Sequence, residues 1–212
     1  MPTYRDLASA HGTVRGFAER AKRKGFAVDR TAILPKALAT TGTARVWGER
    51  VEITPRLGVP LSGYGPLASG RAEGCWGRMW AQVLVVDDGQ GERAALVCMD
   101  LHTGSRWLPE QLAALTAHRT GLDTDRILVL VSHAHSGPGH LYGDTFYDDI
   151  ATEQRGFDKH YNPWLAHTLA AALDRCVDRV EDAATPQAVM GHGQAMAWGL
   201  VWNRSAAAAL HN

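Results

Sequence analysis

Strand-like runs of apolar residues begin near residue 45 and recur through the middle of the chain. The first run, 45–53, leads into Pro55 and then into a loop rich in glycine and proline over residues 58–66. Two further runs, 79–86 and 94–99, flank a turn of aspartate and glycine residues, and this arrangement predicts a β-hairpin. Because both runs are nearly continuous in apolar residues rather than alternating, we expect a sheet that is covered on both faces.

Two helices are predicted from apolar residues spaced three and four positions apart. The first runs from Leu108 to a stop at Gly121 and is followed by an apolar strand over residues 127–131. The second begins with Asn162 as its N-cap and Pro163 in its first turn. Strands and helices in this order predict an α/β fold, in which a mixed β-sheet is layered with helices.

Residues 1–44 differ in character from residues 45–212. They are basic and carry only a loose apolar stripe, so we interpret them as a basic N-terminal extension, either a surface helix or a mobile segment. The alternative is a helix lying on a membrane surface, for which Phe17, Phe26 and scattered alanines supply a small apolar face. Peripheral membrane contact therefore stays open as an alternative.

The composition excludes several classes of protein. Lys plus Arg and Asp plus Glu are 22 each among 212 residues, so no net charge attracts the chain to nucleic acid, and we expect no nucleic-acid partner. The three cysteines, Cys75, Cys98 and Cys176, form no CxxC pair, which argues against a disulfide framework and a cysteine-based zinc knuckle. Neither a signal-peptide core nor a membrane-spanning run is visible, and the compartment stays unknown.

Candidate chemistry is concentrated in residues 132–140, directly after the most apolar strand. His133 and His135 lie two residues apart, so in extended backbone their imidazoles would project to one point, where a metal or a polarised carbonyl could bind. The carboxyl end of a strand is also where α/β sheets bind ligands. The HxHxDH site of metallo-β-lactamases is disfavoured, because Gly137 and Pro138 stand where Asp and His are required.

Several segments, taken in order, resemble the neutral/alkaline ceramidases, zinc-dependent amidases that split ceramide into sphingosine and fatty acid. The similar segments are residues 51–55, 58–64, 99–101, 131–139 and 203–205. The resemblance implies a lipid substrate with an N-acyl bond and one Zn²⁺ ion. It implies that His133 is a zinc ligand, that His135 contacts the substrate near the scissile amide, and that Arg204 holds the polar end of substrate or product. From its chemistry, we also expect His135 to transfer a proton to the leaving amine.

The resemblance places the other zinc ligands, a histidine, a glutamate and a tyrosine, beyond Asn212. We therefore expect the chain to be an incomplete N-terminal portion of a larger catalytic domain. Its expected partner is the missing C-terminal part of that same domain. The alternative is a catalytically inactive truncated homologue or a binding module of the same fold.

The other histidines and the acidic residues near the motif are more simply explained by structural roles than by metal binding. Single histidines are more often structural than ligands, so His102, His140 and His192 are weak substitutes for the missing ligands, as is Asp100. Asp100 is expected either to orient a zinc-bound histidine or to cap the following loop. Tyr142, Asp144, Tyr147 and Asp148 are expected on a loop surface near the mouth of the site.

Overall fold

A computed structural model describes residues 39–67, 70–153 and 155–192. The chain divides into two compact units, Met1–Gly42 with Met190–Asn212, and Thr43–Val189. Almost all described residues belong to the second unit, and Arg204 and most of the basic N-terminal extension lie outside the described residues. No described helix is both long enough and apolar enough to cross a membrane.

The described residues form an α/β fold with a mixed five-stranded sheet and three helices. Strand β1 pairs antiparallel with β2, β2 pairs antiparallel with β3, and β3 pairs parallel with β4. The strand order is β4-β3-β2-β1-β5. In chain order the elements are β1 (Ala39–Glu52), β2 (Trp80–Asp87), β3 (Arg93–Met99), α1 (Trp107–Thr120), β4 (Ile127–Val131), α2 (Thr145–Ile150), α3 (Tyr161–Glu181) and β5 (Gln187–His192).

Most predicted elements are confirmed. The hairpin is the pair β2–β3, and α1 ends where Gly121 adopts a left-handed conformation with φ 66°, which glycine reaches without steric cost.

Strand β1 starts at Ala39, before the predicted start at residue 45. The added residues include threonines but no large apolar side chains. They favour extended backbone without producing a hydrophobic pattern.

The predicted N-cap of the second long helix is wrong. Helix α3 begins at Tyr161, and the carboxylate of Asp158 accepts hydrogen bonds from the backbone N–H groups of His160 and Tyr161 at 2.9 and 2.8 Å. Asn162 lies inside the first turn and is fully buried. Its side-chain amide donates to the carbonyl of His140 at 2.7 Å. Asn162 therefore anchors a loop to the helix, a tertiary role that local sequence does not indicate.

Helices α1 and α3 pack together on one face of the sheet. Alternate residues of β2, including Val83 and Val85, are buried in the same core as Leu112 of α1 and Leu173 of α3. The opposite face of β4 is open, with Leu128 55% exposed and Leu130 40% exposed. The prediction of a sheet covered on both faces is thus wrong for the described residues. The carboxyl ends of β3 and β4 lie at one edge of this sheet and carry the candidate site.

Candidate metal site

His102, His133 and His135 form a histidine cluster at the carboxyl edge of the sheet. One ring nitrogen from each lies within 4.8 Å of the others. The ring centroids are 4.7 Å apart for His102 and His133, 4.7 Å for His102 and His135, and 4.8 Å for His133 and His135. His133 is exposed, whereas the other two rings are half-buried. The cluster is therefore reachable from solvent on the His133 side.

The parallel pairing of β3 and β4 brings the three histidines together. Backbone hydrogen bonds continue past the strand ends: Ser132 N–H donates to Met99 at 3.0 Å, and Ala134 N–H donates to Leu101 at 3.0 Å. These two bonds fix the segment of His133 alongside the segment of His102. His102 thus becomes a neighbour of His133 and His135, although it precedes them by more than 30 positions in the sequence.

The backbone of His133 departs from the extended geometry expected from its sequence. Its φ is 60°, in the left-handed region that a non-glycine residue adopts at a cost of about 1–3 kcal/mol. The predicted convergence of His133 and His135 is confirmed. Its physical cause is a turn after β4 held by the flanking hydrogen bonds, rather than the regular alternation of a strand.

A glycine-rich loop supports the ring of His135. A Cβ atom added at Gly63 would lie 2.6 Å from Nδ1 of His135, and Gly63 itself has φ 109°, so only glycine fits there without strain. Tyr64 contacts the same ring edge to face, with centroids 4.8 Å apart. The loop is tied to the histidine motif because Ser62 N–H donates to the carbonyl of Gly137 at 3.2 Å.

Two buried hydroxyl groups hold His102. Nδ1 of His102 lies 2.8 Å from Oη of Tyr142 and 3.1 Å from Oγ of Ser62, and the two hydroxyls also hydrogen-bond to each other. Ser62 is fully buried and Tyr142 is 4% exposed. Tyr142 is fixed in turn, because its N–H donates to the carboxylate of Asp148 at 3.0 Å. These contacts occupy Nδ1 and leave Nε2 of His102 for another partner.

Burial and neighbouring charges alter the titration of this region. Burial, followed by the proximity of His133 and His135, lowers the pKa of His102 below its ordinary value, which favours the neutral imidazole that a metal binds. Burial raises the pKa of Tyr142 and is also the main cause of the raised pKa of Asp148. The hydroxyl of Tyr142 therefore stays protonated and available as a hydrogen-bond partner.

Several sequence expectations near the cluster require correction. Tyr142 and Asp148 are buried rather than at the surface, and Asp148, in the short helix α2, accepts a hydrogen bond from the N–H of Tyr142. The carboxylate of Asp144 caps this helix by accepting from Phe146 N–H and Tyr147 N–H. His102, treated as a weak substitute ligand, lies in the cluster itself.

The remaining candidates lie elsewhere. Nε2 of His140 lies 3.0 Å from Oγ1 of Thr152, so His140 is part of the loop packing. Asp100 is exposed, and its N–H donates to the carbonyl of Trp80. Arg204 and the side chain of His192 lie outside the described residues.

The donor set of the cluster fits a zinc ion. Zinc in catalytic sites commonly has three protein ligands, and neutral imidazole nitrogen is among its preferred donors. The spacing of the three ligand nitrogens permits one ion to contact all of them after small side-chain adjustments. The second ring nitrogen of a ligand histidine usually donates to a carboxylate, a backbone carbonyl or a water, whereas two buried hydroxyls hold Nδ1 of His102.

A groove of about 680 Å³ is lined in part by Tyr142, whose hydroxyl lies 2.8 Å from Nδ1 of His102 in the cluster. Its volume lies in the range typical of small-molecule sites. The lining combines aromatic, charged and backbone groups: Thr103, Gly104, Ser105, Arg106, Trp107, Glu110, Tyr142, Gly143, Asp144 and Tyr147. Both apolar and polar parts of a ligand could contact this surface.

Comparison with known proteins identifies the fold. No protein-family model and no curated protein matches the chain. Among solved structures, the neutral ceramidase from Pseudomonas aeruginosa matches with a TM-score of 0.53 and 23% identity, covering 65% of this chain and 21% of that one. A ceramidase complexed with C2 matches with a TM-score of 0.52 and 24% identity over the same shares of the two chains. The chain thus spans about a fifth of the length of these ceramidases and has a neutral-ceramidase-like fold, similar to part of the larger ceramidase structure.

Proposed function

We propose that this chain is the N-terminal part, over residues 45–212, of a zinc-dependent amidohydrolase of ceramidase type. The reaction is hydrolysis of the N-acyl bond of ceramide to sphingosine and fatty acid. The observation that carries the proposal is the convergence of His133 and His135 at the carboxyl end of β4, within a ceramidase-like fold. The resemblance of residues 131–139 to the histidine motif of that family supports the same function.

The exposed imidazole of His133 would hold the zinc ion. Zinc bound in this way polarises an amide carbonyl and lowers the pKa of a bound water toward neutrality. His135, with its ring 4.8 Å from that of His133, would contact the amide that is cleaved. Arg204 would hold the polar end of the substrate or the carboxylate product, for which a guanidinium offers two donors in a fixed geometry.

The groove beside Tyr142 supports an amphipathic substrate. Trp107 and Tyr147 provide apolar surface, whereas Arg106 and Glu110 provide charged groups on the same lining. An N-acyl lipid presents a hydrocarbon chain and a hydroxylated polar end to such a surface. We therefore infer that part of the lipid lies in this groove, with its amide directed toward the histidine cluster.

The proposed function is tested with the protein isolated from its source cells. Release of sphingosine from long-chain ceramide is measured before and after removal of metal with a chelator, and with His133→Ala introduced in the gene. His118→Ala is the matched control, since His118 is exposed near the end of α1. We expect chelation and His133→Ala each to reduce the rate by about 100-fold or more, with His118→Ala near wild type.

Two results would contradict the proposal. Hydrolysis that survives both chelation and His133→Ala would exclude a zinc mechanism at this site. Cleavage of a short soluble amide as fast as long-chain ceramide would exclude the lipid as the preferred substrate.

A further inference from the structure

We propose that the hydroxyl groups of Ser62 and Tyr142 act through the ring of His102 to position His135 for the scissile amide. The inference deepens the proposed function and rests on it for the role of His135. Ser62, Tyr142 and His102 are positioning residues in this arrangement, and none of them needs to touch the amide or the metal.

The ring of His135 is enclosed by its neighbours. Its centroid lies 4.7 Å from that of His102, at an interplanar angle of 86°, and 4.8 Å from those of His133 and Tyr64. On a further side the backbone of Gly63 is so close that an added Cβ would lie 2.6 Å from Nδ1 of the ring. A ring packed in this way turns only if one of its neighbours moves.

Among these neighbours, His102 is held by hydrogen bonds to buried side chains. Nδ1 of His102 lies 2.8 Å from Oη of Tyr142 and 3.1 Å from Oγ of Ser62, and the two hydroxyls also hydrogen-bond to each other. Ser62 is fully buried and Tyr142 is 4% exposed. Turning the ring of His102 would break both of its hydrogen bonds at a place where solvent does not replace them.

One loop sets the separation of the two histidine rings. Residues 62–64 are consecutive, and the hydroxyl of Ser62 contacts His102 while the next two residues lie against the ring of His135. The N–H of Ser62 also donates to the carbonyl of Gly137 at 3.2 Å, which ties the loop to the segment that follows His135. A shift of this loop would therefore move both rings.

A polar network at this place has a purpose that apolar packing would not serve. Burying polar groups costs free energy unless their hydrogen bonds are made, and apolar side chains fill space without that cost. A satisfied network instead specifies a single arrangement of its members. Groups that act on a reacting bond have to be held within about 0.5 Å. The network around His102 therefore fits the requirement that the proposed function places on His135.

The experiment measures ceramide hydrolysis by the source protein carrying both Ser62→Ala and Tyr142→Phe, the paired hydroxyl variant. Phenylalanine keeps the ring that lines the groove, and His133 is untouched. We expect kcat to fall about 10-fold or more. KM should stay within about 2-fold of wild type, because an interaction with the reacting amide acts mainly on the chemical step. The zinc content of the protein should not change.

Thr116→Val is the matched control. Thr116 is fully buried, and its hydroxyl donates to the carbonyl of Leu112 at 2.8 Å within α1. The control variant thus also loses a buried hydroxyl and its hydrogen bond. It should lose stability in urea unfolding, and its kcat should equal that of the wild type.

Two further measurements separate positioning from a general loss of structure. If the hydroxyls act through His102, adding the paired substitutions to His102→Ala should not lower kcat any further, whereas independent effects would add. Crystal structures of the source protein and of the paired hydroxyl variant provide a readout that does not depend on activity. The rings of His102 and His135 should be displaced by about 0.5 Å or more in the variant.

Three results would each overturn the proposal: wild-type kcat in the folded paired hydroxyl variant, a further loss of kcat when its substitutions are added to His102→Ala, or unmoved rings in its crystal structure. Its failure is distinguishable from failure of the proposed function. Chelator-sensitive ceramide hydrolysis with wild-type kcat in the paired hydroxyl variant would refute the positioning role alone. Displaced rings in a source protein that does not cleave ceramide would refute the ceramidase function alone.

Discussion

Replacing Gly63 with alanine should disturb the histidine cluster through a single added carbon atom. That Cβ would lie 2.6 Å from Nδ1 and 2.7 Å from Cγ of His135, whereas ordinary contact begins near 3.4 Å. The ring must therefore move by about 0.8 Å, more than the ~0.5 Å within which catalytic groups have to be held. Because the proposed function places this ring against the scissile amide, we expect the rate of ceramide hydrolysis by the source protein to fall about 10- to 100-fold.

Gly58→Ala is a matched control for backbone strain. Gly58 also has a positive φ, 84°, but a Cβ there would meet nothing within 4 Å. Alanine in this region costs about 1–2 kcal/mol at either position, so Gly58→Ala should show that cost alone in urea unfolding, and Gly63→Ala should lose more because its Cβ also overlaps the ring of His135. Only Gly63→Ala should slow ceramide hydrolysis by the source protein. Equal hydrolysis rates for the two variants would refute the reasoning that Gly63 makes room for the ring of His135.

Three further predictions concern stability and are measured by chemical unfolding. Gly139→Ala should cost about 1–3 kcal/mol, because the added Cβ would overlap the side chain of Thr152; an unchanged midpoint would contradict this packing. Leu173→Ala removes a fully buried side chain and should cost about 2–5 kcal/mol; a loss below about 1 kcal/mol would contradict its place in the core. Burial is the largest single influence on Asp87 and raises its pKa, but the hydrogen bonds from Arg93 and Gly89 N–H, together with the positive charges of Arg93 and Arg45, outweigh burial, and the pKa is lowered. The stabilisation by this carboxylate is therefore full above about pH 4 and is lost as the pH falls through the lowered pKa. Asp87→Asn should accordingly be less stable than the wild type at pH 7 and approach it near pH 2, whereas a constant difference between these pH values would contradict the shift.

The regular elements could be predicted because each has a local signal. The turn between β2 and β3, the stop at Gly121 and the apolar run of β4 depend on residues adjacent in sequence. Burial of Tyr142 and Asp148 had no such signal, because the hydroxyl of Tyr142 meets Ser62 and His102, which are distant in sequence. The start of α3 at Tyr161 was missed because Asn162 is a residue type that N-caps prefer, whereas it lies inside the first turn and its amide donates to the carbonyl of His140.

The sequence analysis did not place His102 beside His133, but an argument from the pairing of the strands could have done so. It stands three residues after the end of β3, while His133 stands two residues after the end of β4. In isolation each pattern is ambiguous. If β3 and β4 are taken as parallel neighbours, their carboxyl ends meet at one edge and the histidines become adjacent. The sequence contained the signal, but only together with the strand pairing.

The most direct test of the account is anomalous X-ray diffraction at the zinc edge, from crystals of the protein isolated from its source cells. The account predicts one strong peak about 2.0–2.1 Å from a ring nitrogen of His133. A zinc ion bound away from His133, or no zinc peak beside its ring, would contradict it.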